Sequence, residues 1–321
     1  MNRSLDLLAG RVLAKLGDVT LWNWSTYHAL FLPPLRGERR HRISRQRARA
    51  AFWNAAATVP AYGSFLREHG TQHPRRWEDV PVMDKENYIK RHPLPALCQH
   101  GKLPLRGAVI DESSGTSGIA TNWVRGHHER DATRRLLQYT ALATFGDEGF
   151  VMLNAFALGP WATGMNVSMA LVDRCLLKST GPDQGKIVRT LEVLGPEYRY
   201  VICGYPPFMK TLVDTAGIDW SQYEVYAVVG GEGMSEGLRA SLNRAFRKTY
   251  SSYGASDLAI NLAVETDFSI ALRQAIAADP TLGQALYGAG ADTLPMVFQY
   301  DPLNQLIEAD EQGSLLFTMN R

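Results

Sequence analysis

Six consecutive residues, Ser113-Ser114-Gly115-Thr116-Ser117-Gly118, place four hydroxyls and two glycines in one short stretch. Glycine lets backbone N–H groups turn inward and approach a ligand closely. Successive inward N–H groups form a concavity that suits an anion, and Ser and Thr hydroxyls add rotatable donors. A plain turn between two strands has the same composition, so on local chemistry both readings stand. Ala108-Val109-Ile110 and Asp111-Glu112 lead into the stretch, and the β-like run Asn122-Trp123-Val124-Arg125 leads out.

A second stretch, Val228 to Gly237, follows a strand-like run and opens a helical one. Gly233-Met234-Ser235-Glu236-Gly237 matches the G-x-S-x-G elbow that exposes a nucleophilic serine, whose base histidine must come later in the chain. All eight histidines precede Ser235, which argues against the serine-elbow hydrolase reading. Gly231-x-Gly233 hints at a dinucleotide fingerprint, but Glu236 stands where its third glycine belongs. Ser235 is expected to cap the following helix. A third stretch, Ser252 to Asp257, offers a ring at Tyr253 to lie on a nucleobase and a turn at Gly254. Ser256 adds a hydroxyl, and Asp257 a hard oxygen for Mg²⁺. Its plainer reading is a Tyr-Gly turn with Asp257 as an N-cap.

The elements that would carry these loops alternate. Strand-like runs at Phe150–Leu153, Tyr200–Cys203 and Tyr223–Val229 are separated by helical stretches over 128–144, 183–194, 206–216 and 236–247. Such alternation predicts an α/β fold with a largely parallel sheet flanked by helices. Ligands in such sheets sit at the carboxyl ends of the strands, where these loops fall. Upstream, the periodicity predicts a helix over 3–17, a helical region over 44–69 broken at Val59-Pro60, and a short helix from Asp84 through Arg91. Short β-like runs follow at Met296–Tyr300, Leu306–Glu308 and Ser314–Met319. We divide the chain into a basic helical segment (1–58), an α/β nucleotide- and acid-binding core (59–288) and a β-rich end (289–321). The chain stops directly after an apolar run, as a cut chain would.

Length and an apolar content of 45% bound the class to an ordinary globular protein. No window approaches 18 consecutive apolar residues, and no signal-peptide pattern is present. Cys98, Cys175 and Cys203 are odd in number and far apart, which argues against a disulfide frame or zinc site and predicts a cytoplasmic protein. The net charge of +2 is uneven: residues 1–50 hold ten Lys/Arg against three Asp/Glu. Seven arginines between Arg36 and Arg49 are expected to form a solvated helix face. An anionic membrane surface or an acidic partner is the alternative. Nothing elsewhere adds the stacking platform that nucleic acid would require.

The three stretches, in this order, resemble the successive core motifs of the adenylate-forming superfamily of acyl- and aryl-CoA synthetases, in particular phenylacetate–CoA ligase-like proteins. The likeness extends to Val59-Pro60-Ala61-Tyr62 and Asp79-Val80-Pro81-Val82-Met83-Asp84-Lys85 upstream. Downstream it takes in Gln299-Tyr300-Asp301-Pro302 and Gly313-Ser314-Leu315-Leu316-Phe317-Thr318. It covers roughly residues 55–320, and the set and order are specific where no single piece is.

The resemblance implies that Ser113, Ser114, Gly115, Thr116, Ser117 and Gly118 hold the ATP phosphates, Thr116 with a catalytic role. Gly231 and Glu232 would lie along the adenine. Tyr253 and Gly254 would stack on it, with Ser256 nearby and Asp257 binding Mg²⁺. The middle loop, Asn154 to Asn166, would line the acid pocket through Phe156, Gly159 and Trp161, joined by Tyr205; Trp161 is equally well a core residue. Ala120-Thr121-Asn122 replace the usual Pro-Lys after the first loop, and Asp257 replaces a glutamate. The family's ribose-binding Asp and its small C-terminal domain with a catalytic lysine have no counterpart here, so the large N-terminal domain alone is expected, with impaired turnover. The implied reaction is ATP-dependent activation of a small carboxylic acid, followed by transfer to a thiol, most often coenzyme A. Transfer to an acyl carrier protein or a cofactor, and a non-catalytic nucleotide- or acyl-binding module, remain as alternatives.

Overall fold

The computed structural model describes residues 2–21, 37–113, 120–288 and 294–320. The α-helices are α1 (Arg3–Leu21), α2 (Gly37–Thr58), α3 (Pro60–Glu68), α4 (His127–Phe145), α5 (Ala162–Leu171), α6 (Gln184–Leu194), α7 (Pro206–Thr215), α8 (Glu236–Leu242), α9 (Asp267–Ala278) and α10 (Pro280–Tyr287). The strands are β1 (Val109–Glu112), β2 (Asn122–Arg125), β3 (Val151–Asn154), β4 (Leu176–Ser179), β5 (Arg199–Gly204), β6 (Glu224–Gly230), β7 (Lys248–Ala255), β8 (Ala259–Val264), β9 (Gln305–Ala309) and β10 (Leu315–Met319). The chain forms two compact units, one of Met1–Ile110, Val124–Ala132 and Asp301–Arg321, the other of Asp111–Trp123 and Thr133–Tyr300.

In the first unit, α2 and α3 meet at the expected break, with Val59 as N-cap and Pro60 in the first turn, where its missing N–H costs nothing. Phe52 and Trp53 from α2 and Tyr62, Phe65 and Leu66 from α3 form an aromatic-rich core with Tyr88. From Arg39 to Arg49 the arginine run is helical, because α2 begins at Gly37 rather than at 44; Arg36 lies outside the described residues. Arg39, Arg42 and Arg45 are exposed, whereas Arg47 donates to the Asn320 carbonyl at 2.7 Å. The antiparallel β9–β10 hairpin is held on α2 by Ser44, which donates to the Gln305 carbonyl and accepts from the Asn320 amide. The helix expected from Asp84 is a series of turns that closes in a single 3₁₀ turn at Ile89–Arg91. The Asp84 carboxylate takes the Asn87 N–H, as a cap would, but Pro93 follows too soon for a longer helix.

The second unit holds a six-stranded sheet in the order β4-β3-β5-β6-β7-β8. Strands β3 to β7 pair in parallel, and β8 runs antiparallel at the edge. Strict alternation sends side chains to opposite faces. Val151, Leu153, Tyr200, Ile202, Val225 and Ala227 pack against α6, α7 and α8. Met152, Val201 and Cys203 point the other way, toward Leu137, Ala141 and Phe145 of α4 and Val167 and Leu171 of α5. Tyr200, Val201 and Ile202 have no exposed surface, and burying a large apolar side chain contributes roughly 1.5–3 kcal/mol.

Local chemistry sets the helix starts. Asp183 accepts the Lys186 N–H at the start of α6, Ser235 accepts the Leu238 N–H at α8, and Thr266 forms a capping box with Ser269 at α9. Helix α8 is shorter than the predicted 236–247. It stops at Leu242 because the chain must unwind for the Arg247 N–H to reach the Val225 carbonyl and enter β7. Of the expected run Met296–Tyr300, only Gln299 makes a bridge, to Val264.

A buried ion network ties this unit together. Arg239 on α8 donates to Glu265 at 2.5 Å, to both oxygens of Glu236 at 3.1 Å and to the Thr249 carbonyl at 2.6 Å. Arg273 on α9 donates to Glu236 at 2.6 Å and to the carbonyls of Met234 and Pro295. The Glu265 side chain is wholly buried, and its second oxygen accepts the Ser251 N–H. Two cations and two anions cancel, and the guanidinium forks satisfy carbonyls that would otherwise be buried unpaired. Glu265→Ala would leave buried Arg239 without its shortest carboxylate contact and the Ser251 N–H without an acceptor. The expected cost is about 3–5 kcal/mol in urea unfolding; a loss below ~1 kcal/mol would mean that water already solvates the network.

Candidate active site

The topology indicates where to look. From β3 the chain turns back to β4 on one side, then crosses over to β5 on the other, so a crevice opens at the carboxyl ends of β3 and β5. Asn154, the last residue of β3, is wholly buried. Its amide nitrogen donates to the Gly164 carbonyl at 2.7 Å and to Ser168, and its oxygen accepts the Phe156 N–H. The chain is thereby turned so that Phe156 meets Tyr205, the first residue after β5, edge to face at 5.5 Å. The middle loop is shorter than Asn154–Asn166, because α5 begins at Ala162. Gly164 lies so close to the Ala157 carbonyl that a methyl group there would overlap it.

Gly231, immediately after β6, has φ +89° and lies flat against the Tyr205 ring. Burial, and then the charge of the Glu232 carboxylate, push the Tyr205 phenol above its ordinary value. Tyr253 and Gly254 lie near the end of β7, just before its last residue, Ala255. A methyl on Gly254 would stand 3.1 Å from backbone atoms of Ala259, Ile260 and Asn261, where the β7–β8 register slips. Tyr253 is 38% exposed, with its ring 5.8 Å from Phe298. Ser256 and Asp257 occupy the turn between β7 and β8, Asp257 exposed. No helix follows Asp257, so it is not an N-cap.

The first loop has its neck in view. Ser113 donates its N–H to the Thr121 carbonyl and accepts the Thr121 N–H on its Oγ. Ser114, Gly115, Thr116, Ser117 and Gly118 lie outside the described residues. The approach to the loop is anchored from below. Asp111, 4% exposed, accepts two bonds from the Asn166 amide, and the Glu112 N–H donates to the Pro160 carbonyl. Sequence reasoning missed this pair. Its only signal was a carboxylate at the end of an apolar run, which needs a partner when buried.

A cavity of about 130 Å³ lies on the α4–α5 face of the sheet. Leu137, Ala141, Met152, Phe156, Val167 and Cys203 line its apolar wall. Of the expected site residues, Phe156, Gly231, Gly254 and Ser256 line it. Gly159, Trp161 and Tyr205 are not among its lining residues; Trp161 instead bridges to Glu112 at the N-cap of α5. Glu232, Tyr253 and Asp257 flank lining residues in the chain and are exposed. Among the described residues no group of three His, Cys, Asp or Glu forms a metal cage. Mg²⁺ needs none when phosphates and one or two carboxylates complete its shell, and Asp257, the carboxylate expected for it, is exposed.

Two outcomes follow from this geometry. Gly231→Ala combines a left-handed backbone with overlap on Tyr205, and is expected to cost about 1–3 kcal/mol of stability by thermal or urea unfolding. An unchanged midpoint would count against the observed contact. Burial, with Cys175 nearby, pushes the Cys203 thiol up to about 12. The thiolate is the reactive form, so Cys203 is expected to resist maleimide at pH 8 until the protein unfolds. Rapid native labelling at Cys203 would contradict its observed burial.

Neither a protein-family model nor a curated protein matches the sequence. Among solved structures, 2-hydroxyisobutyryl-CoA ligase in the postadenylation state with 2-HIB-AMP aligns at TM-score 0.61 and 16% identity. That alignment covers 73% of this chain and 52% of that one. The same ligase with 2-HIB-AMP and CoA in the thioesterification state aligns at 0.62 and 16%, over 73% and 53%. Its open conformation aligns at 0.60 and 16%, over 73% and 58%. The chain thus spans a little over half the length of the solved ligases it matches. It has the α/β fold of the adenylate-forming acyl-CoA ligases.

Proposed function

We propose that this chain binds ATP and a carboxylic acid at the carboxyl edge of its parallel sheet and joins them as an acyl-adenylate. One observation carries the reading. A side-chain-free Gly230–Gly231 edge, the Tyr253–Gly254 end of β7 and the anchored neck of a Ser/Thr/Gly loop belong to one α/β unit whose apolar cavity Gly230, Gly231 and Gly254 help to line.

In the proposed reaction a carboxylate oxygen attacks the α-phosphorus of ATP. The new P–O bond forms as the bond to the β-phosphate's bridging oxygen breaks, and pyrophosphate leaves. A thiol sulfur then attacks the acyl carbon, the C–O bond to AMP breaks, and the thiol proton passes to solvent. Coenzyme A is the proposed thiol, in the manner of a phenylacetate–CoA ligase. Charge develops on phosphate oxygens, so the protein's task is positioning and electrostatic stabilisation. The Ser113–Gly118 loop, with Thr116, would supply donors to the phosphates. Tyr253 would lie on the adenine with Gly231 and Glu232 along its edge. Mg²⁺, held through Asp257, would neutralise phosphate charge.

A second acceptor, an acyl carrier protein, is favoured by the exposed row Arg39, Arg42 and Arg45 on α2, a face suited to an acidic partner. The three cysteines are free thiols, in keeping with the cytoplasmic setting that this proposal adopts.

The test is calorimetric titration of the chain with Mg·ATP and with a phenylacetyl-sulfamate adenosine mimic. Saturable binding is expected, lost in a Thr116→Ala, Tyr253→Ala double variant. Absence of binding by the intact chain, or binding the double variant retains, would overturn the proposed site.

A further inference from the structure

The cavity described above has a composition that restricts what acid can occupy it. Its volume, about 130 Å³, is close to that of an engineered protein cavity of about 150 Å³ that admits benzene. A ring or a branched body of similar bulk fits within it, whereas a long unbranched chain would have to extend beyond it. Among the described residues no Lys, Arg or His lines it. Its one lining carboxylate, Glu265, is already engaged by Arg239 and the Ser251 N–H. Tyr250 directs its hydroxyl to Asp267, leaving its ring as wall. A second charge on the substrate would therefore be buried without a counter-ion, which is strongly unfavourable.

One strip of the wall is polar. Asn261 on β8 is 6% exposed and holds φ +58°, a left-handed conformation that asparagine tolerates better than other side-chain-bearing residues. The β7–β8 slip opposite Gly254 imposes it. The Asn261 oxygen accepts from Ser252 Oγ at 3.0 Å, and its nitrogen donates to Thr140 Oγ1 on α4 at 3.2 Å. An amide nitrogen carries two hydrogens and a hydroxyl one. Among the described residues, the second Asn261 N–H and the Thr140 O–H have no acceptor, and both residues line the cavity. A buried, strained polar residue with a spare donor is costly unless something accepts from it.

Resting on the acyl-adenylate reading, we propose that the cavity takes the body of a compact, uncharged monocarboxylic acid. Asn261, backed by Thr140, would select acids bearing a neutral hydrogen-bond acceptor (a hydroxyl, ether or keto oxygen). Both are specificity-determining residues, since they meet the acyl body and not the reacting atoms.

The experiment compares binding of AMP alone with binding of acyl-sulfamoyl adenosines by the full chain. The acyl groups are phenylacetyl, its ring-hydroxy and ring-methoxy positional isomers, succinyl and hexadecanoyl. Phenylacetyl is expected to bind at least about tenfold more tightly than AMP, and succinyl and hexadecanoyl to gain nothing. At least one oxygenated isomer should gain about fivefold more, as one added hydrogen bond allows. Asn261→Gly keeps the left-handed backbone and removes the amide, and Thr140→Val removes only the hydroxyl. Each should lower that oxygen-dependent gain, with AMP binding reporting that the variant is folded. Succinyl or hexadecanoyl binding as well as phenylacetyl, or an oxygen preference untouched by both variants, would overturn the proposal. AMP binding with no acyl gain would overturn it while leaving the nucleotide site standing. Failure of AMP and every mimic to bind would overturn the adenylation reading and this one together.

Discussion

Two arginines and two glutamates, all buried except the half-buried Glu236, set the geometry on which the candidate site depends. Arg239 joins Glu265, Glu236 and the β7 backbone, and Arg273 joins Glu236 to the carbonyls of Met234 and Pro295. The Gly230–Gly231 edge enters this network four residues later, at Met234. Tyr253 lies on β7 two residues after Ser251, whose N–H the network holds. Desolvating four charges is expensive, and pairing repays that expense only when every donor is satisfied. The loops on either side are therefore held in one arrangement, and a site that works by positioning requires that rigidity.

The other face of the sheet is built for occupancy. On the α6–α8 face, Val151, Leu153, Tyr200, Ile202 and their partners close into a dense core. On the α4–α5 face, Thr140, Ala141 and Thr144 present small side chains toward Met152 and Cys203, and a cavity remains. The mouth is lined by Gly230, Gly231 and Gly254, where side chains would intrude. One sheet thus serves as scaffold on one side and as a ligand-sized space on the other.

In the first unit, apparent surface features prove to be partly structural. Asp6 is buried under Gln46 and Trp53, and Arg47 leaves the basic run to hold the carbonyl of Asn320. Trp77 reaches Glu308 at 2.8 Å. The amino-terminal helices and the β9–β10 hairpin, widely separated in the chain, therefore share one unit. The arginines left exposed, Arg39, Arg42 and Arg45, recur every third residue along α2.

Local periodicity determined much of this protein. Alternating runs marked β3, β5 and β6, and the 3.6-residue repeat marked the helices between them. Ser235 and Pro60 announced helix starts because caps act within one turn. The order of the glycine-bearing loops was legible too, since strand–helix alternation sends each such loop to the same edge of the sheet. What the sequence could not display were pairings across distance. Asn261 with Thr140, Asp111 with Asn166 and Arg239 with Glu265 stand 121, 55 and 26 residues apart. Each depends on which strands become neighbours and in what register, and a slip of one residue would turn every side chain to the opposite face. The loops were written in local chemistry; the cavity, its polar strip and the ion network came into being only when the crossovers brought distant residues together.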